Sequence, residues 1–309
     1  MRPLEPGCAK RWLVAARPWA LPASSMPVVF GTSLAWAFGG TGLSAPRFLW
    51  ALATMIVLHS AANMLSDVAD DRRGLDRAVT PLSGAIPRGF LTRGQVLRGS
   101  VVLFAAGTVS GLLLARAAGP ALLVVGAIGV VVGASYGLLK ARALGDPAVF
   151  LNFGVLGTLG AWIVQTGSFS WLPVVWAVPL ALLVAAILHA NNWRDVADDR
   201  ACGVVTVAAL LGDRGSLVYY GVLVFLPFLL VPVLMTVPRL TGLGLPPMSP
   251  AFLIVFLAFP GALRLWGRAR RRASPRSPFD FALLDGATAR HNLLFGLLAT
   301  SAALLSGLF

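Results

Sequence analysis

The feature that most constrains this chain is a succession of long apolar runs with almost no charge inside them. Nine can be delimited, at about 18–40, 47–66, 96–117, 119–138, 147–167, 171–193, 215–237, 250–268 and 290–309. Each is close to the roughly 20 residues that carry a helix across a hydrocarbon layer about 30 Å thick. Backbone amides in that layer find no water, so each run must satisfy them internally, as a helix. Pro22, Pro27, Pro179 and Pro232 fall inside the runs, which membrane helices tolerate because neighbours re-satisfy the freed carbonyls. The expectation is an all-α polytopic membrane protein. One domain over residues 1–309 would form a bundle of nine transmembrane helices with cytoplasmic cap loops. Composition agrees, at 57% hydrophobic and only 12% charged residues, which no ordinary soluble domain shows.

A net charge of +13 would suit nucleic acid, but the basic residues lie between apolar runs and form no soluble patch, so no nucleic-acid partner is expected. Of the 25 Lys and Arg, all but Arg47, Arg116 and Arg239 fall on one side when the runs are threaded alternately, and the 12 acids fall there too. The positive-inside rule makes that side cytoplasmic, in a multi-pass protein of the cell (inner) membrane. Residues 1–21 are basic but broken by Pro3, Pro6 and Pro18, with no cleavable signal pattern. Cys8 and Cys202 have no ligand-like spacing and read as free thiols. The basic, proline-broken stretch 268–278 reads as an anchor for anionic headgroups.

Half of the 12 acids sit in a ten-residue phrase that occurs twice. Residues 63–72 carry Asn63, Asp67, Asp70, Asp71 and Arg72; residues 191–200 carry Asn191, Asn192, Asp195, Asp198, Asp199 and Arg200. Both share the core Asp-Val-Ala-Asp-Asp-Arg. On a helix Asn63, Asp67 and Asp71 stand at i, i+4 and i+8 with Asp70 beside them, so one face collects oxygens; the second copy repeats the pattern. Two carboxylate stripes with amide oxygens suit a hard cation such as Mg²⁺, and Asp70 and Asp71 fit the spacing equally well. Solvated helix ends would account for one copy, hardly for two. Four runs separate the copies, so both emerge on the cytoplasmic face.

Carboxylates holding Mg²⁺ beside basic side chains suit a diphosphate, whose departure the metal assists. The basic candidates are Arg17, Arg72, Lys140, Arg142 and Arg200. No GxxxxGK[ST] loop is present, so a lipid-borne diphosphate fits better than a nucleotide, its polyisoprenoid tail sheltered among the apolar runs. An allylic cation would need apolar or aromatic walls, for which Tyr136, Phe150, Trp162 and Trp193 are candidates. His59 and His189 lie just upstream of the repeats, and a hydrogen-bonded structural role is favoured over proton removal for both, as for His291. Asp285-Gly-Ala-Thr-Ala-Arg290 opens like the metal motif of membrane CDP-alcohol phosphotransferases, but no acid follows Asp285, so that reading is rejected. A cation-coupled transporter is the rival from another class; against it, no acid falls at mid-membrane depth.

From Arg17-Pro18 to the last run, the chain resembles the UbiA superfamily of intramembrane prenyltransferases, and most closely its 1,4-dihydroxy-2-naphthoate branch. The first repeat resembles the family's Asp-rich motif and is followed by Gly74-Leu-Asp76, similar to that branch's Gly-x-Asp. The second resembles its NNxRDxxxD motif, and Ser83-Gly84 through Gly89-Phe-Leu-Thr92-Arg-Gly-Gln95-Val resembles its segment before the third run. Tyr136, Lys140 and Leu144-Gly145-Asp146 resemble the loop where the family usually has Gly-Leu-Gly-Glu. The chain departs in lacking paired prolines after Tyr136 and in carrying Gly203-Val204-Val205-Thr206 where a lysine is common. The resemblance implies Mg²⁺-dependent transfer of a polyprenyl group from its diphosphate to an aromatic acceptor, 1,4-dihydroxy-2-naphthoate on the route to menaquinone. The other partner expected is membrane lipid, and no protein partner is evident. Asp67, Asp71, Asp195 and Asp199 would be catalytic, with Asn63, Asp70, Asn191 and Asp198 completing the metal shell. Arg17, Arg72, Tyr136, Lys140, Arg142, Asn192 and Arg200 would bind substrate. Another aromatic acceptor, a glycan-lipid role or acceptor-free cyclisation of the prenyl chain are the alternatives on the same scaffold.

Overall fold

The computed structural model describes residues 7–75, 84–241, 244, 246–272, 281 and 283–308. Asp76, Ser83 and residues 273–278, all read above, lie outside them. Among the described residues the chain is all-helical, with no strand and one isolated bridge. A short helix α1 (Cys8–Ala16) and a tight turn Pro18–Ala20 precede α2 (Pro22–Phe38) and the long α3 (Ala45–Arg73). Then come α4 (Arg93–Ala118), α5 (Ala121–Lys140) and α6 (Gly145–Val149), the last running through a π-helical stretch Phe150–Leu156 into α7 (Gly157–Thr166). α8 (Trp171–Trp176), α9 (Val178–Arg194), α10 (Val196–Ala201) and α11 (Val207–Thr241) follow. The 3₁₀ helix Pro250–Ala258 leads into α12 (Phe259–Ala269), and α13 (Leu284–Ser306) is the last helix.

Among the described residues six segments are long and apolar enough to cross a membrane: α3, α4, α5, Gly145–Thr166, α11 and Pro250–Ala269. The protein is thus a multi-pass membrane protein. Outward side chains such as Val124, Val131 and Leu229 are apolar and exposed, as lipid contact requires. α3 matters most for the site. Its 29 residues span about 44 Å at 1.5 Å per residue, more than the roughly 30 Å hydrocarbon layer. The excess leaves its last turns, which carry the first acidic repeat, room to lie beyond that layer.

Local signals set the ends that hold the site. Ser44 caps the start of α3, and Gly74, at φ +77°, ends it one residue after Arg73. Thr92 and Gln95 form a reciprocal capping box that starts α4. Between helices in lipid, close packing of small residues does the work that water expulsion does elsewhere. Gly31 of α2 lies against the backbone of Thr158 in α7, and Gly154 of the π-helical stretch lies against Ala181 of α9. At the core, Trp176 meets Phe38 and Phe252 edge-on at 5.0 and 5.4 Å. Two loops are tied by backbone: Val205 N–H donates to Ala141 (3.2 Å) and Ala143 N–H to Val205 (2.6 Å).

Candidate active site

The first repeat stays helical to its end, so its acids divide by face. Asp67 is buried and pairs with Arg17, the residue that follows α1 in a left-handed conformation at φ +52°. Asn63 anchors the same crossing by donating to the Ala16 carbonyl at 3.2 Å. Gly84 lies so close on the Asp67 carboxylate that a Cβ there would overlap it. Asp70 is buried too; Ser66 Oγ donates to its Oδ2 at 3.5 Å, and its Oδ1 is buried with no hydrogen-bond partner. Asp71 instead faces out and pairs with Arg93 at the start of α4. Arg72 is exposed.

The second repeat is not one helix. α9 ends at Arg194, Asp195 adopts φ −94° and ψ 10°, and α10 restarts at Val196. The single-face stripe expected from the spacing is therefore broken in this copy. At the break Arg194 Nε and Nη2 each donate at 2.7 Å to one oxygen of Asp195. Beyond the break Asp199 is buried, whereas Asp198 and Arg200 are exposed; Arg200 donates to the Ala209 carbonyl. Asn192 is buried and donates to Asp146 Oδ1 at 3.4 Å, and His189 Nδ1 lies 3.0 Å from Asp146 Oδ2. Trp193 is buried, its Nε1 donating to Asp213 at 2.8 Å and its ring under Arg272 at 5.4 Å. That contact leaves Trp193 little freedom to wall a cavity.

The two repeats meet at Lys140, the last residue of α5. Its Nζ lies 3.6 Å from Asp70 Oδ2 and 3.7 Å from Asp199 Oδ1, and all three side chains are buried. Arg73 of α3 donates to the Gly137 carbonyl at 3.1 Å and holds α5 against α3. Tyr136, one turn before Lys140, is half-buried against the core, while Arg142 is exposed. Of the residues singled out in the sequence, the structure gathers Arg17, Asn63, Asp67, Asp70, Lys140 and Asp199. Asn191 and Asp195 stand with Arg194, and Asp71, Arg72, Asp198, Arg142 and Arg200 turn outward. Sequence reasoning did not single out Arg93, Arg194 or Gly84 as site residues. Gly84 and Arg93 lie in the matched segment before the third run and Arg194 is the arginine of the second repeat's NNxRDxxxD pattern, so all three had a motif signal without a residue role.

Among the described residues no three acidic, histidine or cysteine side chains converge into a ready-made metal cluster; cationic side chains lie on the acids instead. The donor chemistry still fits a hard cation. Asp67, Asp70, Asp195 and Asp199 offer only oxygen, and Asp70 Oδ1 is a buried oxygen without a hydrogen-bond partner. An apolar groove of about 510 Å³ opens between α3, α4 and α5, lined by Leu65, Phe104, Val109, Val130 and Ala134 among others.

A helical membrane bundle whose two acidic repeats close on one lysine defines a class of intramembrane enzymes with a polar centre at one end of an apolar body. This chain belongs to the UbiA prenyltransferase family, whose model matches residues 24–284, and it is a prenyltransferase. It is 33% identical over 306 residues to UbiA prenyltransferase domain-containing protein 1 of Mus musculus, covering 94% of this chain and 82% of that one. The Drosophila melanogaster homolog is 32% identical over 300 residues, covering 94% and 78%. These relatives do not carry the name of the naphthoate branch, so the family stands and the branch assignment does not follow from them. Among solved structures, the apo UbiA homolog from Aeropyrum pernix K1 aligns with a TM-score of 0.66 at 16% identity, covering 92% of this chain and 97% of that one. The Archaeoglobus fulgidus UbiA homolog bound to DMAPP and Mg²⁺ aligns at 0.61 and 14%, covering 94% and 99%. At such identity these two establish likeness of fold.

Proposed function

We propose that this protein transfers a prenyl group from a prenyl diphosphate to an aromatic acceptor, with Mg²⁺ held by its two acidic repeats. The observation that carries the reading is Lys140, one buried cation touching a buried carboxylate from each repeat. The A. fulgidus homolog, bound to DMAPP and Mg²⁺, supports the donor and the metal. When bound, Mg²⁺ would neutralise charge developing on the diphosphate leaving group. Asp67, Asp70, Asp195 and Asp199 are the ligands we assign, with Asn63 and Asn191 orienting them. Lys140 and Arg17, now paired with these acids, hold diphosphate oxygens by charge-assisted hydrogen bonds. The prenyl tail lies along apolar helix surface, for which the groove beside Leu65 offers room. Tyr136 and Phe150 exclude water from the developing cation and present ring faces to it. Trp162 lies near Gln165, which bonds Ser44 at the opposite end of α3 from the repeat, and is not one of the walls.

The acceptor we assign is 1,4-dihydroxy-2-naphthoate or a close phenolic relative, on the strength of the second motif's resemblance to the naphthoate branch. In this reading α2, α8 with α9, and α13 join the six long spans to give nine crossings in one domain over residues 1–309. Both repeats then face the cytoplasm. The test uses purified protein in nanodiscs with Mg²⁺ and a panel of prenyl diphosphates, with and without 1,4-dihydroxy-2-naphthoate, products followed by mass spectrometry. A prenylated, decarboxylated naphthoquinol is expected. Diphosphate release with only a hydrocarbon or another adduct would overturn the acceptor, and no release with any donor would overturn the mechanism.

A further inference from the structure

Asp285 lies outside both repeats, in the first turn of α13, and is buried. Its Oδ2 accepts from Arg194 Nη1 at 2.7 Å and from Asn191 Nδ2 at 3.3 Å, both groups of the second repeat. Its Oδ1 accepts from the Gly286 N–H at 2.8 Å. Arg194 meanwhile grips both oxygens of Asp195. One guanidinium therefore stands between a carboxylate of the repeat and a carboxylate of the last helix.

We propose that Asp285 is a positioning residue that retains Arg194 when Asp195 turns from Arg194 to a divalent cation. The proposal rests on the reading of the repeats as a metal and diphosphate centre. Both Asp195 oxygens lie in the arginine fork, and a metal of strict octahedral demand needs one of them turned toward it. Leaving the fork would remove one counter-charge from a largely buried guanidinium, which is costly unless another carboxylate stays on it. Asp285 stays at 2.7 Å and supplies that charge. The same carboxylate takes the NH₂ of Asn191 and so turns that amide's oxygen away from α13. Asp285 lowers the cost of releasing Asp195 without itself touching metal or substrate.

The test is Mn²⁺ binding to the full-length protein in nanodiscs, read by electron paramagnetic resonance without prenyl substrate. The proteins compared are wild type, Asp285→Asn, Asp285→Glu, Arg194→Gln and the double variant. Asp285→Asn should weaken Mn²⁺ binding about 10- to 100-fold. It should raise the Mg²⁺ needed for half-maximal turnover by the same factor, with kcat at saturating Mg²⁺ unchanged. Asp285→Glu should recover most of the affinity. In the Arg194→Gln background the same Asp285→Asn change should do little, because no guanidinium then holds Asp195. Equal losses with and without Arg194 would show a plain charge effect and overturn the proposal, as would unchanged affinity in Asp285→Asn. Should Asp285→Asn fail to fold, the double variant decides alone: it must bind Mn²⁺ no more weakly than Arg194→Gln. Absence of Mn²⁺ binding to the wild type overturns this proposal together with the metal centre. Mn²⁺ binding that behaves as expected in a protein that releases no diphosphate overturns the enzymatic reading alone.

Discussion

Lys140 touches two buried carboxylates, one from each repeat. A buried pair broken on one side costs about 3–5 kcal/mol, because the remaining charge stays desolvated. Lys140→Gln should therefore lower the thermal stability of the metal-free protein, and added Mg²⁺ should restore more of it than in wild type. At the same time the KM for prenyl diphosphate should rise about 10- to 100-fold, the worth of one charge-assisted hydrogen bond. Thermal scans with and without Mg²⁺, beside steady-state kinetics, read both; a KM left unchanged would remove Lys140 from the diphosphate site. Gly84 makes a second prediction. Its missing side chain is the space the Asp67 carboxylate occupies, so Gly84→Ala must push Asp67 from its pairing with Arg17. Turnover should fall on the order of 100-fold, as for a reacting group displaced by about 1 Å, while fluorescence-detected gel filtration shows an intact monodisperse protein. Helical spacing alone could not divide Asp70 from Asp71, since i+7 and i+8 both fit one face. The division comes from Lys140 and Arg93, which reach α3 from other helices, and no local pattern encodes that.

The helices show the same limit from the other direction. The first repeat was legible as a helix face, and α3 keeps that face through Arg73. The second has the same six-residue core, yet it breaks at Asp195. What differs lies just before the core: Met64-Leu-Ser66 in one copy, Asn192-Trp-Arg194 in the other. Trp193 is held by Asp213 and Arg194 by Asp195 and Asp285, so tertiary partners override an identical local sequence. Helix approach is a further property that composition hides. The π-helical stretch touches α9 where Gly154 meets the Cα of Ala181, and a side chain there has nowhere to go. Gly154→Val should cost about 1–3 kcal/mol, the usual penalty of overpacking, and lower the melting temperature in detergent. Substrate KM should move less, because Ala181 lies about three turns before Asn191 on α9 and the first repeat and Lys140 are on other helices. A melting temperature equal to that of wild type would mean that α9 is not packed there as described.

Across the whole molecule, hydropathy made the helical membrane class legible, and the scarcity of acids made the site legible. Which way the site faces rests on the distribution of Lys and Arg, a property of the chain against the membrane and not of any contact within the fold. The structure makes that orientation testable with two native cysteines. Cys8 at the start of α1 is exposed and Cys202 beyond α10 is half-buried, and both belong to the end that carries the acidic repeats in the threading by charge. Gly42, in the connection between α2 and α3, is exposed and belongs to the opposite end. In intact cells a membrane-impermeant maleimide should therefore leave the native protein unlabelled, and permeabilisation should allow Cys8 to react. In a cysteine-free background, Gly42→Cys should label from outside without permeabilisation. The reverse pattern would place the repeats on the outer face, where Arg17, Lys140 and Arg194 would lie against the positive-inside rule. Labelling of both ends from one side would mean an even number of crossings between residues 8 and 42, which the single apolar helix α2 between them does not provide.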